Sequence, residues 1–429
     1  MKKSTKATIF STLFMGAGQI YNKEYFKAVF YGVIEIISLI FFIPYMQSSI
    51  HGLITLGETP MHFVEGISQG DHSIFLLVDG LIGLLALLMI VLLYAMNIVD
   101  ARTTGKRIEE GNSPMNTKAF LQHIWEKYFA HFMLSIPVLC ITFFVVLPII
   151  FTLSIAFTNY SSPNHLPPKN LVDWVGLKNF KALFTLDIWN GTFLAVGKWT
   201  IIWAVVATVS NYFVGLFLAL LVSWEKVKLK KLWRSIFILP YAIPGFISLL
   251  IMRLAFSGPG PINNFLVSLG MGKVPWFTTA LTAKVMIILI NIWLGSPYWM
   301  ALMSGTLTNI DREMYEAADI DGASKPQKFI KITLPMVLYQ TSALMVMTFA
   351  FNFNNFQAIY LLTDGNPVNG SYRYAGSTDI LISWIYKLTK DQNQYNMASV
   401  ITLLLFVFIA GISAYSFTKT KAFKEEDML

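Results

Sequence analysis

Eight apolar stretches divide this 429-residue chain, at about 26–46, 74–97, 131–158, 199–223, 235–256, 284–305, 336–362 and 397–417. Crossing the hydrocarbon layer as a helix takes about 20 residues at 1.5 Å each, and each stretch is long enough. The pattern predicts an all-α integral membrane protein with eight transmembrane helices. A ninth apolar piece, Ala7 to Ile20, is too short to span and reads as interfacial or re-entrant, with Gly16, Gly18 and Tyr21 in or beside it. The polar segment Asp100 to Lys127 holds Gly105, Gly111, Asn112, Ser113 and Pro114 and reads as a linker. It predicts an organisational boundary, with a two-helix extension at 1–128 and a six-helix body at 129–429.

Composition agrees. Only 13% of residues are charged and mean hydropathy is +0.57, against about 25% charged in soluble domains. The net charge of +8 is therefore a question of sidedness and gives no reason to expect nucleic acid. With the N-terminus inside, cytoplasmic segments carry 21 Lys/Arg and external loops 7. That bias places both termini and the 306–335 loop in the cytoplasm. One cysteine, Cys140, excludes an intrachain disulfide framework and a multi-cysteine metal site. The MKKSTK start is followed by no cleavage signal.

Polar residues inside apolar spans narrow the chemistry. Acidic groups, the mark of ion and proton relays, occur only in the first two spans, as Glu35 and Asp79; a buried partner such as Lys27 would account for them. The later spans carry amides and aromatics. In NIWLGSPYWM, Asn291, Leu294, Gly295, Tyr298 and Leu302 share a helical face, and Pro297 crowds the carbonyl of Trp293. In TFAFNFNNF, Thr348, Phe351, Asn352, Asn355 and Ile359 share another, while Asn354 points elsewhere, toward a neighbouring helix. An unpaired buried amide costs about 4–8 kcal/mol against an alkane reference, so these residues must face protein or a watered cavity. Amides, a phenol and flat rings at one depth suit a neutral, polyhydroxylated ligand; interhelical bonding is the other reading.

The loop between the sixth and seventh spans predicts a helical hairpin at about 309–335. Asp311 can cap a first helix and Gly322 can end it with positive φ. Ser324 and Gln327 have capping-box spacing, with Pro326 in the first turn. Pro335 marks the return to the bilayer. No P-loop is present, since Gly197-Lys198 runs into Trp199. The six histidines have no metal-site spacing, and no catalytic triad stands out. The chain is expected to have no catalytic residue, no metal and no cofactor of its own.

The run EAADIDGASKPQKFIKITLP from Glu316 resembles the coupling motif of ABC importer permeases, through Glu316, Ala317, Ala318, Gly322, Ile332, Leu334 and Pro335. With NIWLGSPYWM, FAFNFNNF and LPYAIPGFIS from Leu239, the chain from about 130 to 417 resembles the larger permease subunit of maltose/maltodextrin ABC importers. The phrase WVGLKNF from Trp174 is similar to sugar-importer permeases as well. The resemblance implies a six-helix permease core preceded by two helices. It implies sugar contacts at Asn291, Leu294, Gly295, Tyr298, Thr348, Phe351 and Asn352, and docking to an ATPase at Glu316. Its implied partners are a second, smaller permease, two cytosolic ATPase subunits that bind the ATP, an extracellular sugar-binding protein, an oligosaccharide substrate and membrane lipid. The external loop between the third and fourth helices departs from the best-known Gram-negative members, which carry a large folded domain there. Its short length suits the cell membrane of a Gram-positive bacterium and a lipid-anchored binding protein. Rival readings are an ABC permease for another cargo such as a galacto-oligosaccharide, an ion-coupled secondary sugar transporter, and a membrane scaffold. The neighbouring genes or the ATP dependence of uptake would separate them.

Overall fold

A computed structural model describes residues 2–64, 67–113, 117–166, 170–224 and 226–419. Seven described helices are long and apolar enough to span a membrane, or eight when a pair bent by 89° counts as one. The C-terminal end, 420–429, whose cytoplasmic placement the charge bias predicts, lies outside the described residues. The chain forms two compact units, Met1–Gly176 and Leu177–Leu429. The expected division at 128/129 does not coincide with the boundary between these packing units.

In the first unit, α1 (Lys3–Leu13) and α2 (Ala17–Tyr21) precede two long helices, α3 (Tyr25–Thr55) and α4 (Ser73–Glu109). Between them, strands β1 (His62–Val64) and β2 (Ile67–Gln69) pair antiparallel. The expected linker from Asp100 is instead helical through Glu109, because α1 packs on this part of α4 and supplies partners for its polar residues. Ser4 N–H donates to the Glu109 carboxylate and Asn97 Nδ2 donates to Ser11 O. Residues 114–116 of the predicted linker lie outside the described residues. Lys27 pairs with Glu24 and Asp100, both at 2.8 Å, and not with Glu35 as the sequence suggested. Asp79 is exposed. The unit's third span, α5, crosses at Met133–Ala156.

The second unit is built on α7 (Asp187–Ser223), which follows the short α6 (Lys178–Thr185). Next come α8 (Lys230–Ala242) and α9 (Gly245–Ala255), the bent pair, then α10 (Pro261–Ser268) and α11 (Ala280–Thr308). After the hairpin helix α12 (Arg312–Ile320) run α13 (Lys325–Phe353), α14 (Phe356–Thr363), α15 (Leu381–Lys390) and α16 (Tyr395–Lys419). Residue patterns explain the breaks. Pro244 disfavours helical geometry at Ile243, which is extended (φ −88°, ψ 134°). The predicted seventh span, 336–362, is two helices. It stops at Phe353, and Asn355 caps α14 by accepting from Ala358 N–H at 3.1 Å. Three wide, π-helical turns, Ser38–Phe42, Thr142–Val146 and Phe329–Thr333, each end two residues before a proline: Pro44, Pro148 and Pro335. A wider turn gives room to the carbonyl that a proline ring would crowd. Pro335 therefore sits inside a continuous α13 and marks no reversal of direction.

Two apolar clusters organise this unit. One gathers Trp203, Ile287, Ile290, Leu249 and Ile359. The other gathers Tyr212, Leu216, Trp299, Met303 and Val337.

Candidate functional site

Between those clusters lies a cavity of about 540 Å³. All seven predicted ligand positions line it: Asn291, Leu294, Gly295 and Tyr298 from α11, and Thr348, Phe351 and Asn352 from α13. Periodicity of 3.6 brings each set to one face, and the α8–α9 break supplies the wall opposite. There, Tyr241, Ile243 and Gly245 line the cavity, as irregular backbone at membrane depth does when it borders a polar space. Leu302 and Ile359, assigned to the same faces, pack in the apolar clusters instead. Among the described residues, no charged side chain lines the cavity.

The polar groups differ in what they have left to offer. Asn352 is 2% exposed; its Nδ2 donates to Thr208 Oγ1 at 3.0 Å, and its backbone carbonyl accepts from Trp203 Nε1 at 2.9 Å. It joins α13 to α7 as well as lining the cavity. Asn354 is exposed and bonds back to Ala350 O in its own helix, not to a neighbour. Thr348 donates to Leu344 O. Asn291 is 8% exposed and its Nδ2 has no partner among the described residues. Tyr298 and Tyr241 lie with ring centroids 6.1 Å apart, and Phe351 is 67% exposed, so aromatic faces are available on the cavity wall.

The hairpin at 309–335 forms as its residues dictate. Asp311 Oδ1 accepts from Glu313 N–H at 3.0 Å. Gly322 takes φ +71°, in the left-handed region. Ser324 and Gln327 form the capping box, with Ser324 N–H donating to Gln327 Oε1 at 2.7 Å. The motif divides by environment. Ile332, Leu334, Tyr315 and Phe329 pack on the second cluster, and Tyr315 hydroxyl meets Thr333 Oγ1 at 2.8 Å. Glu316, Ala317, Gly322 and Pro335 are exposed and Ala318 is half-buried. Glu316 pairs with Arg312, one turn away at 3.2 Å. The apolar half anchors the hairpin, and the exposed half leaves a carboxylate beside small residues where another protein can approach.

Residues 211–420 match the family model described as binding-protein-dependent transport system inner membrane component. Over 440 residues the chain is 38% identical to the maltodextrin transport system permease protein of Streptococcus pneumoniae (strain TIGR4), covering 100% of this chain and 98% of that one. It is also 38% identical over 415 residues to the galactooligosaccharides transport system permease protein of Bacillus subtilis (strain 168), covering 96% of each. The chain belongs to the permeases of binding-protein-dependent sugar ABC importers. A crystal structure of a bacterial ABC transporter involved in the import of the acidic polysaccharide alginate shares the fold, with TM-score 0.58 over 71% of this chain and 98% of that one at 21% identity. The permease is a multi-pass membrane protein and a transport component.

Three features of this permease's cavity escaped the sequence reading. Asn211, on α7, lines it. The available signal was an amide inside an apolar span, the same signal that found Asn291. Gln357 and Tyr241 also line it; their places depend on helix breaks whose angles a linear pattern does not fix.

Proposed function

We propose that this permease carries a neutral gluco-oligosaccharide of the maltodextrin class, held partway across the membrane in the cavity between α11 and α13. The uncharged lining carries this reading: amides of Asn291 and Asn352, the phenol of Tyr298 and the ring of Phe351, with no Lys, Arg, Asp or Glu among the described residues that line it. Amides exchange hydrogen bonds with hydroxyls, and rings cover a sugar's apolar face. An acidic sugar would leave carboxylates unpaired there, which is costly in a low-dielectric site. A second, smaller permease closes the open side where Phe351 is exposed. Two cytosolic ATPases bind ATP and receive the Glu316 hairpin, and an extracellular binding protein delivers the sugar. Closure of the ATPases moves the anchored hairpin and turns the cavity from one side to the other. Both termini lie in the cytoplasm, as the 21-to-7 distribution of Lys/Arg supports, and the short external loop between the third and fourth helices suits a Gram-positive cell. The N-terminal two-helix extension, 1–128, stands outside the six-helix transport body.

A galacto-oligosaccharide is the second reading, favoured by the equal 38% identity to a permease of that name. Uptake of labelled maltotriose and of a galactotriose by proteoliposomes holding the four-component complex, with ATP inside, separates them. ATP-dependent uptake of maltotriose with less than a tenth of that rate for galactotriose is expected. The reverse ratio would assign the second cargo, and uptake of neither would reject both.

A further inference from the structure

We propose that Asn211 is an additional sugar-contacting residue that sets hydroxyl specificity, its amide seated on Gly295 and offering an acceptor beside the donor of Asn291. This rests on the reading of the cavity as the sugar site.

Buried amides in this unit are otherwise bonded. Asn263 is fully buried, and its Nδ2 donates to the carbonyls of Ser257, Gly258 and Val274 while its Oδ1 accepts from Val274 N–H and Trp276 Nε1. Asn352 has Thr208. Asn211 is 4% exposed and its Oδ1 has no partner among the described residues, a state that costs stability unless something else fills it. Asn291 Nδ2 is in the same condition. Both residues line the cavity; the two other unpartnered buried atoms, Asn22 Oδ1 and Ser248 Oγ, belong to residues outside its lining.

The seat is built. A Cβ at position 295 would lie 2.4 Å from Asn211 Nδ2 and 2.8 Å from its Cγ. Only glycine at 295 lets the amide lie where it does. Asn291 and Gly295 are one turn apart, so the amides are offset by about 6 Å along α11. One unfilled acceptor and one unfilled donor at that spacing match a sugar ring, whose hydroxyls each donate and accept. A hydroxyl donating to Asn211 Oδ1 and another accepting from Asn291 Nδ2 would satisfy both atoms. The arrangement makes Gly295 a positioning residue that acts through Asn211.

The test is a cycle between residue and hydroxyl, using the complete complex in proteoliposomes. Uptake of maltotriose is compared with uptake of analogues each lacking one hydroxyl, normalised to assembled complex, for wild type, Asn211→Ala, Gly295→Ala and Asn291→Ala. The binding protein's own preferences are common to all variants and cancel in the ratios. Asn211→Ala should lower maltotriose uptake about five- to a hundredfold, the range for a hydrogen bond lost inside a dry site. One deoxy analogue should fall less than twofold, because its missing hydroxyl is the one Asn211 binds. Gly295→Ala should single out the same analogue while leaving Asn211 in the sequence, which keeps the test decisive if Asn211→Ala assembles poorly. If Asn211→Ala and Gly295→Ala lower every sugar by one factor while Asn291→Ala is hydroxyl-specific, the Asn211 proposal fails and the cavity reading stands. If no variant is hydroxyl-specific, the cavity reading fails with it.

Discussion

Replacing Asn352 with alanine should separate two jobs that one side chain performs. Asn352 lines the cavity, and it also donates to Thr208 across the α7–α13 contact at 3.0 Å. Interhelical hydrogen bonds in membrane proteins average about 0.6 kcal/mol. In Asn352→Ala the Thr208 hydroxyl can turn to a carbonyl of its own helix, so the structural loss should stay near that figure. A sugar hydroxyl stranded in the closed cavity costs about 1–3 kcal/mol, which is roughly a five- to hundredfold loss of uptake. The transport effect therefore exceeds the stability effect. Thr208→Val gives the complementary case. It removes the hydroxyl from the helix contact, leaves the Asn352 donor buried without its partner, and does not touch the cavity wall. It should destabilise the complex by about 1–3 kcal/mol with uptake per assembled complex within twofold of wild type. Thermal unfolding of the purified complex and maltotriose uptake in proteoliposomes read the two quantities. If Thr208→Val depresses uptake per complex as much as Asn352→Ala does, Asn352 serves as interhelical packing and its cavity position is incidental.

Three further outcomes follow from the same geometry. Glu316→Lys should leave permease assembly unchanged, because an exposed pair such as Arg312–Glu316 contributes at most about 1 kcal/mol; uptake and sugar-stimulated ATP hydrolysis should fall at least about tenfold from the lost cross-interface ion pair, and wild-type coupling in this variant would remove Glu316 from the docking role. In a Cys140→Ser background, required because Cys140 is exposed, cysteines at the exposed Ser324 and Asn164 should react with impermeant reagents from opposite faces, and labelling of both from outside would overturn the topology. The Asp71 carboxylate accepts from the backbone N–H of Thr59 and Glu58 at 2.9 and 2.8 Å, which holds its pKa below the usual aspartate range; its contribution to the 56–72 loop is thus present above that range and lost as pH falls through and below it, so amide-exchange protection of Glu58 and Thr59 should drop on acidification in wild type and be low at all pH in Asp71→Ala.

What the sequence made legible follows from where each signal is local. The hairpin at 309–335 was readable residue by residue, since caps, turn glycine and apolar anchors all act within a few positions. The two cavity faces were readable because an amide inside an apolar helix must find company, and helical periodicity says which neighbours share its side. What the sequence withheld was how helices end. Asn355 appeared to continue the face of Asn352, yet the chain breaks at Asn354 and Asn355 caps the next helix. The residue still reaches the cavity, by a different route. The Asp100 segment looked like a linker from its glycines and charges, and it is helical because α1 covers it, a contact about 80–100 residues away in sequence that no local pattern contains.

Proline was the hardest residue to interpret from pattern alone. Pro244 follows the break in the bent span, Pro297 lies inside an unbroken α11, and Pro335 follows a widened turn in a continuous α13. All three lack the same N–H, but only Pro297 and Pro335 lie inside a helix, where the ring crowds the carbonyl four residues back. The difference is what surrounds the weakened point. Beside Pro297, Gly295 and Tyr298 also border the cavity, but the buried Ser296 and Trp299 hold the other side of the helix, which stays continuous. At Pro244 the neighbours Tyr241, Ile243 and Gly245 border open cavity, and backbone freed from the helix can face that space. At Pro335 the strain is absorbed upstream, in Phe329–Thr333, where Phe329 and Ile332 anchor the hairpin to the second cluster. The turn that accommodates the proline thus lies near the start of α13, between the hairpin and the part of the helix that carries Thr348, Phe351 and Asn352. If the hairpin docks as proposed, a push on Glu316 passes from α12 across the Gly322 turn into α13, and the Phe329–Thr333 turn lies between it and the cavity residues.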